Sequence, residues 1–372
     1  MSGFSLKDQL FNLDKVKKLA VEIKTVYPNF KEKEFINKVC SRFPELELKQ
    51  RILWISDCLK QFLPNSYEDS VNIILNALPK PCNPELKDDD FGDFIYAPYN
   101  QYIASYGCRK EYINLSLSAL EEITTRFSAE DAIRYFINSF PELTYSFLKK
   151  WVNHPHYHVR RLVSEATRPK LPWASKIKYN SDYYLPLLSY LYKDTTRFVT
   201  RSVANHLNDL SKINSQLVLS TLEKWKKENF QNEKELHFII KHSLRTLIKQ
   251  GDIATLKFLG YKNNVKFNAN LNLPETDVLI GEKLLFEIEL FAEENSRIII
   301  DYVMFFKGKS GTNEKVFKFK DMYVEKGKKY SFSKTYYFKL GMTTRTFYPG
   351  NHSIALQING TRCDIKNFVL KV

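Results

Sequence analysis

Cysteine is scarce and scattered in this sequence, with five among 372 residues and no C-x-x-C pair. An odd number at irregular spacing argues against a disulfide framework, a zinc ribbon or an iron-sulfur cluster. A run of about eighteen apolar residues, as a membrane span requires, is also lacking. The first residues, MSGFSLKDQLFNLDKVKKLA, have no apolar core of a secretory signal. We therefore expect a protein of the reducing cytoplasm with no membrane partner.

Metal-binding residue types occur in two segments, and neither forms a complete ligand set. Prolines and acids between Pro79 and Tyr99 indicate a long surface loop, and its acidic run from Asp88 to Asp90 has no second ligand cluster. His154, His156 and His158 alternate in a segment that leads into a helix, without a Cys, Asp or Glu to complete a site. We therefore expect no metal and no cofactor.

Basic residues outnumber acidic ones, 56 against 42, which gives a formal net charge of +14 and a pI of about 9.3. Basic side chains that neutralise phosphates release condensed counterions, so this balance favours a polyanionic partner. Charge alone does not prove such a partner, because many basic proteins bind nothing specific. The length and an apolar content of 44% suffice for a sizeable core and suggest two domains.

A helical pattern with a basic face recurs about every forty residues. In WVNHPHYHVRRLVSEATRPKLPW (151–173), apolar residues from Val159 to Ala166 follow the i, i+3, i+4, i+7 spacing of an amphipathic helix. The pattern returns in FVTRSVANHLND (198–209) and, more weakly, in FIIKHSLRTLIK (238–249). This period is typical of HEAT-like repeats, which stack into a solenoid with a continuous concave face.

Alignment of the three repeats gives an apolar column, a basic column and a mixed polar column. Because each repeat presents its second helix to the same surface, the basic column would form a ladder along that surface. Ordinary solvated helix charges are the alternative explanation. The columns are Val159, Val199, Ile239; Arg161, Arg201, Lys241; and Glu165, Asn205, Arg245.

The Tyr-rich connector that follows the first repeat (174–194) is predicted as a packing helix.

The pattern changes near Gly260 from helical to alternating. Runs such as LLFEIELFAE (284–293), separated by turn clusters, indicate an all-β sandwich. Residues 301–350 hold eleven Lys or Arg against four Asp or Glu, so the sandwich has a basic sector. We expect this sector to contact the polyanionic partner, with Arg345 in the loop LGMTTRTFYPGN as a phosphate or groove contact. A solubilising surface on an accessory domain is the alternative.

Three motifs resemble one family of DNA repair enzymes. The strings HVRRLVSEATRPKLPW, RSVANHLNDLSK and HSLRTLIKQGDIATLKFLG are similar to the AlkC branch of the AlkC/AlkD family of HEAT-repeat DNA alkylation repair glycosylases. Some members of that branch also carry a C-terminal immunoglobulin-like domain. The resemblance implies a multidomain protein, with an all-α HEAT-like repeat solenoid over residues 1–262 and an all-β immunoglobulin-like sandwich over residues 263–372.

Three acids and a tryptophan are the candidate catalytic residues. In the family, the segment equivalent to RFSAEDAIR (126–134) carries an acid placed at the lesion, which corresponds to Glu130. We predict that Ser128 caps the next helix and that Glu130 lies in its first turn, where a favourable interaction with the helix dipole is the alternative role. The other candidates are Glu165, Asp209 and Trp173.

Excision of a methylated base explains why these residue types would meet. Carboxylates near C1′ stabilise the oxocarbenium-like sugar and orient the attacking water. The indole of Trp173 would pack against the deoxyribose or the cationic base. A structural pairing of Asp209 with Arg201 or Arg245 is the alternative for that acid. The residues predicted to contact DNA are Arg160, Arg161, Arg168, Arg201, Asn205, Lys241, Arg245 and Arg345.

The sequence therefore predicts a monofunctional DNA glycosylase of base excision repair that acts on double-stranded DNA. By resemblance its substrates are cationic N-methylated bases such as 3-methyladenine, with 3-methylcytosine and 1-methyladenine as further candidates, and no deep base-flipping pocket is expected. A catalytically inactive HEAT-repeat DNA-binding or scaffold protein is the alternative function, and a protein-interaction adaptor is a third. We expect a monomer in the bacterial cytoplasm, associated with the nucleoid through DNA binding.

Overall fold

Two compact units make up the chain. The computed structural model describes residues 5–86, 88, 91–178, 180–342 and 345–372, except for the side chain of residue 181. The first unit ends at Ser243 and the second begins at Leu244. Helices build the first unit and strands most of the second. This confirms the predicted all-α domain followed by a β-sandwich.

Helices follow one another through the first unit, and polar side chains cap several of their N-termini. Asn12, Ser66 and Asn214 each accept a hydrogen bond from a backbone N–H in the first turn of their helix. None of the described helices is long and apolar enough to cross a membrane. The helices are α1 Leu6–Leu10, α2 Leu13–Val26, α3 Glu32–Ser41, α4 Leu48–Phe62, α5 Tyr67–Asn76, α6 Ala97–Gly107, α7 Ile113–Thr124, α8 Ile133–Ser139, α9 Pro141–Trp151, α10 Tyr157–Ala166, α11 Leu185–Leu191, α12 Arg197–Ser211, α13 Ser215–Glu228 and α14 Glu233–Ser243.

The three predicted repeat helices are α10, α12 and α14. Helix α12 packs against both α10 and α14, so equivalent positions of the repeats lie on neighbouring helices. Their apolar column of Val159, Val199 and Ile239 is fully buried. Burial of one apolar position per repeat is what a stacked array requires, because no single repeat can cover its own apolar face.

Two local predictions in this unit are wrong. Helix α8 has Ala132 at its N-cap position, so Ser128 is not the cap and Glu130 lies in the turn before the helix. The connector after Trp173 was predicted as one helix, yet residues 174–178 are irregular and a short 3-10 turn leads into α11. The left-handed backbone of Trp173, with φ of 69°, interrupts helical geometry before the connector, and Pro186 lies at the first turn of α11, where proline favours a helix start.

Strands of the second unit form two sheets that share one apolar core. A three-stranded sheet has the order β1-β3-β6, and a five-stranded sheet has the order β2-β8-β7-β4-β5 with β2 and β8 parallel. Phe286 of the first sheet and Ile300 of the second are both fully buried in that core. The strands are β1 Phe267–Asn272, β2 Asp277–Leu279, β3 Lys283–Ala292, β4 Ser296–Lys307, β5 Thr312–Val324, β6 Lys329–Tyr337, β7 Gly350–Ile358 and β8 Thr361–Lys371.

Two short helices, α15 (Arg245–Gln250) and α16 (Ile253–Phe258), belong to the second unit. Leu256 and Tyr261 are buried against Ile299 of β4. A Cβ on Gly251 would lie 2.6 Å from the Cα of Gly360, so this approach requires glycine. The sequence boundary at residue 262 follows the change of pattern, whereas the compact units divide after Ser243 because these helices pack on the sandwich.

Candidate active site

Helix α10 is the element from which the candidate site is built. Val159, Leu162 and Val163 are fully buried, and this apolar face fixes the rotation of the helix. The side chain of His156 caps its N-terminus by accepting a hydrogen bond from the backbone N–H of His158. The opposite face carries Arg161, which reaches towards Glu130, and the buried carboxylate of Glu165.

Glu130 is held by two donors. Its Oε2 accepts hydrogen bonds from Arg161 Nη1 at 2.9 Å and from Ser128 Oγ at 2.7 Å. Arg161 Nη1 also lies 3.1 Å from Ser128 Oγ, which closes a triangle of charge-assisted contacts. The side chain of Glu130 stays 28% exposed. Because Glu130 lies before α8, not in its first turn, the helix dipole does not explain this acid.

Glu130, Arg161 and Trp173 all line a cleft of about 670 Å³. Trp173 is 79% exposed, the highest value of any aromatic residue described in the helical unit. Much of the remaining lining is apolar and comes from α1, α4 and the segment before α6. We call this feature the cleft. Its wall residues include Leu6, Leu10, Leu48, Ile52, Phe91 and Phe94.

A second group of polar and charged side chains adjoins Arg161, and we call it the buried cluster: Glu165, Arg168, Ser202 and Asp209. Glu165 is 4% exposed and accepts hydrogen bonds from Arg168 and, at 2.6 Å, from Ser202 Oγ. Arg168 also donates through Nε to Asp209 Oδ2 at 2.9 Å. Arg161 connects the two regions, since its Nη2 lies 3.8 Å from Glu165 Oε2. The buried cluster therefore ties α12 to the end of α10.

Opposed effects set the charges of the buried cluster. Burial alone would raise the pKa of Glu165, but Arg161, Arg168 and the Ser202 hydroxyl hold it below its usual value. Burial acts against the charge of Arg168, yet Glu165 and Asp209 raise its pKa. Both groups therefore stay ionised at neutral pH. Neighbouring His206 is fully buried, which lowers its pKa to about 4 and keeps it neutral.

The predicted basic column is only partly available to a ligand. Arg161 is engaged by Glu130, and its guanidinium lies 4.5 Å from the centre of the Phe198 ring. Arg201 forms an ion pair with Asp88, a residue of the predicted surface loop. Lys241 is half-buried on α14. The acidic loop therefore reaches the basic column, which the reading of Asp88 as solvated did not predict; Asp89 and Asp90 lie outside the described residues.

Four other predicted DNA contacts are not among the residues that line the cleft. Arg160 donates to both carboxylate oxygens of Asp194, at 2.5 and 3.1 Å, which favours a structural role. Asn205 pairs with His242 at 2.9 Å between α12 and α14. In the second unit, Arg245 begins α15, and the guanidinium of Arg345 lies 4.0 Å from the centre of the Phe306 ring. The contact between Arg345 and Phe306 also favours a packing role for Arg345 over a role in binding phosphate.

The three alternating histidines have separate partners. His156 Nε2 lies 3.0 Å from the Cys82 carbonyl oxygen, and His158 Nδ1 lies 3.1 Å from the carbonyl of Thr124. His154 Nε2 lies 3.3 Å from Glu121. Over the described ranges, no group of three His, Cys, Asp or Glu side chains could hold a metal ion. The histidines therefore fix the entry of α10.

Sequence reasoning missed two hydroxyl donors of the site. Ser202 holds Glu165, and Ser128 holds Glu130. Ser202 follows Arg201 in the second repeat, so a polar residue at a buried helical position was the available signal. Ser128 did stand out in the sequence, but as a helix cap. Neither role follows from spacing, because both depend on which helix packs opposite.

Known proteins share this architecture. Residues 268–372 match the family described as "Uncharacterised protein YhaZ, C-terminal Ig-like domain". The "Uncharacterized protein YhaZ" of Bacillus subtilis (strain 168) is 30% identical over 366 residues, which cover 97% of this chain and 98% of that protein. The structure of the Pseudomonas fluorescens alkylpurine DNA glycosylase AlkC, bound to DNA containing an abasic site analog, has a TM-score of 0.88 and 29% identity, covering 99% of this chain and 100% of that chain.

Proposed function

The chain, a relative of Bacillus subtilis YhaZ, belongs to the AlkC branch of the AlkC/AlkD family, and on that premise we propose that it is a DNA glycosylase for alkylated bases. The observation that carries the proposal is the cleft, where the carboxylate of Glu130 and the indole of Trp173 share one lining. A carboxylate and an aromatic face are what a cationic nucleoside needs at its sugar and its base.

In the proposed reaction, the bond between C1′ and the base nitrogen breaks, and its electrons neutralise the positive charge of the methylated base. Glu130 stabilises the oxocarbenium-like sugar and orients water for attack on C1′. The water adds hydroxyl to C1′, and its proton passes to the carboxylate or to solvent. The products are a free base and an abasic site, with the DNA strand intact.

We assign different roles to the three candidate acids. Glu130 is the catalytic residue because it is partly exposed in the cleft. Glu165 and Asp209 are each 5% exposed at the side chain and are held by arginines. A carboxylate whose oxygens are already engaged is poorly suited to orient water. We therefore propose that these two acids position Arg161 and Arg168 around the site.

Duplex DNA is the proposed partner, with cationic bases such as 3-methyladenine as substrates and 3-methylcytosine and 1-methyladenine as further candidates. Arg201, Asn205 and Lys241 lie on neighbouring helices α12 and α14 and would contact the phosphates. A phosphate would compete with Asp88 for Arg201. We further propose a monomer of the bacterial cytoplasm that meets the nucleoid through these contacts, without metal or lyase chemistry.

Release of free base tests this function most simply. Purified protein is incubated with methylated duplex DNA and a chelator, and the released bases are identified by chromatography. We expect methylated adenine to appear and the strand to remain intact until alkali cleaves the abasic site. No release, combined with salt-sensitive binding to the same duplex, would support the alternative of an inactive HEAT-repeat DNA-binding or scaffold protein.

A further inference from the structure

The loop that presents Trp173 has an unusual backbone. Trp173 has φ of 69°, in the left-handed region that residues other than glycine rarely adopt, and its indole is 79% exposed. An exposed side chain offers little packing energy to hold such a conformation. Strained backbone persists where its surroundings hold it, and it is concentrated at functional sites. The groups that hold this loop therefore bear on how the site works.

One face of α8 and of the turn before it contacts the loop at three levels. Asp131 accepts a hydrogen bond from the backbone N–H of Ser175 at 3.4 Å. Arg134 Nη2 donates to the Arg168 carbonyl at 3.1 Å, where the loop leaves α10. Asp131 lies in the turn just before α8 and Arg134 in the first turn of that helix, so both contacts come from its N-terminal end.

Asn138 makes the third contact, one turn further along α8, and it is the best formed. Its Nδ2 donates to the Lys176 carbonyl at 2.9 Å, and its Oδ1 accepts from the Lys178 backbone N–H at 2.9 Å. A side-chain amide that satisfies a carbonyl and an N–H of the same segment fixes both its position and its orientation. The loop is thus held on both sides of Trp173.

Arg134, which contacts the start of the Trp173 loop, is a buried arginine. Its side chain is 1% exposed, and in the described part of the chain its Nε and Nη1 have no hydrogen-bond partner. A guanidinium in apolar surroundings is costly unless it is bonded. The bond to the Arg168 carbonyl therefore joins the start of the Trp173 loop to a side chain that has little freedom to move.

The same segment also carries Glu130. Glu130 lies in the turn immediately before α8, next to Asp131. We infer that Asp131, Arg134 and Asn138 are positioning residues that hold the Trp173 indole at a fixed distance from the Glu130 carboxylate. This inference rests on the proposed function, because it gives the clamp a role in base excision. We call these three residues the clamp.

Fixed geometry matters for this chemistry because small displacements of reacting groups reduce rates steeply. Substitution of Asn138 by alanine removes two hydrogen bonds to the loop and replaces no residue that lines the cleft. We expect Asn138→Ala to lower the single-turnover rate of base release roughly tenfold. Affinity for undamaged duplex should not change, because Asn138 is not among the proposed phosphate contacts. Asn138→Asp keeps the acceptor for Lys178 and should lower the rate less.

A matched control and a double-mutant cycle distinguish positioning of the indole by Asn138 from a merely structural role of that residue. Asn214→Ala removes the N-cap of α13 in the same unit and should leave the rate unchanged. In a Trp173→Ala background, Asn138→Ala should have no further effect, because the clamp acts through the indole. Tryptic cleavage at Lys176 should be faster in Asn138→Ala than in the wild type or in Asn214→Ala.

The outcomes distinguish this inference from the function on which it rests. Absence of base release by the wild-type protein would overturn the proposed function and the clamp's role together. Release by the wild type with an unchanged rate in Asn138→Ala would overturn the clamp alone. Equal rate losses from Asn138→Ala with and without Trp173 would also overturn it, because the residue would then act independently of the indole.

Discussion

The cleft and the buried cluster contain the same residue types in opposite environments. In the cleft, Glu130 is held on one oxygen and remains open to a ligand beside the exposed Trp173. In the buried cluster, Glu165 is enclosed by three donors. Proximity of a carboxylate to an arginine is therefore not enough to identify a reacting group. Access to the substrate decides which acid acts on the sugar and which one fixes the arginines.

Loss of charge in the buried cluster should have the largest effect on stability. Glu165→Gln leaves Arg168 and Arg161 without their shared buried partner, and breaking such a pair typically costs about 3 kcal/mol of unfolding free energy. Urea unfolding followed by the helical circular dichroism signal measures this change. Glu130→Gln is the matched control and should unfold like the wild type. An equally stable Glu165→Gln protein would remove the distinction between the two regions.

A buried carboxylate without arginine partners sharpens the same comparison. Burial raises the pKa of Asp301 in β4 to about 7, against about 4 in an unfolded chain. Between these values the folded protein keeps a proton that the unfolded chain releases, so the free energy of unfolding should fall as pH rises from about 4 to about 7. Asp301→Asn should flatten this dependence for the sandwich. The measurement is thermal unfolding of both proteins at several pH values across that range.

The contrary result for Asp301 would be an identical pH dependence in the wild type and in Asp301→Asn.

The contribution of Glu165 to the free energy of unfolding should depend on pH with the opposite sign. Its pKa is lowered by the arginines, so its contribution to stability is present above its unfolded pKa and is lost as pH falls through the folded value. Two buried carboxylates in one chain should thus respond to pH in opposite directions because one has cationic partners and the other is dominated by burial.

Removal of the exposed indole should affect the rate and leave stability unchanged. Trp173→Ala loses a contact with the oxocarbenium-like sugar worth about 1 to 2 kcal/mol when desolvated, which corresponds to a fall of roughly tenfold in single-turnover excision. Tyr190→Ala removes another exposed aromatic side chain of the same unit outside the cleft and should retain the wild-type rate. Loss of stability in Trp173→Ala would indicate a packing role instead.

The smallest expected effect concerns the phosphate contacts. Arg201→Ala should reduce the salt dependence of duplex binding by about one unit in the slope of log K against log salt. Asp88→Asn removes the negative charge that pairs with Arg201 and should strengthen binding at low salt. Affinities measured by fluorescence anisotropy at several salt concentrations give both slopes. An unchanged slope in Arg201→Ala would place the DNA elsewhere.

Periodic features of this molecule were predictable from sequence, and contacts between distant segments were not. The helices that carry Val159, Val199 and Ile239 follow from their apolar spacing, and the sandwich follows from alternation. The pairing of Asp88 with Arg201 joins residues 113 positions apart. It depends on where a proline-rich loop crosses the repeats, which no local pattern specifies.

The candidate site divides in the same way. Motif resemblance selected Glu130 and Trp173, and both line the cleft. Arg160 looked equivalent to its neighbour Arg161 in sequence, but one helical position turns it towards Asp194. The boundary at residue 262 marked a change of secondary structure. It could not show that α15 and α16 pack on the sandwich, because such packing depends on close approaches such as that of Gly251 to Gly360.

The most direct test of the account is the single-turnover rate of base release from duplex DNA containing 3-methyladenine by Glu130→Gln. This rate should fall at least roughly a hundredfold, as for loss of a group that stabilises transition-state charge. Affinity for duplex with an abasic site analogue and the urea unfolding curve should match the wild type. A Glu130→Gln protein that excises within a few-fold of the wild-type rate would contradict the assignment of the cleft as the reacting region.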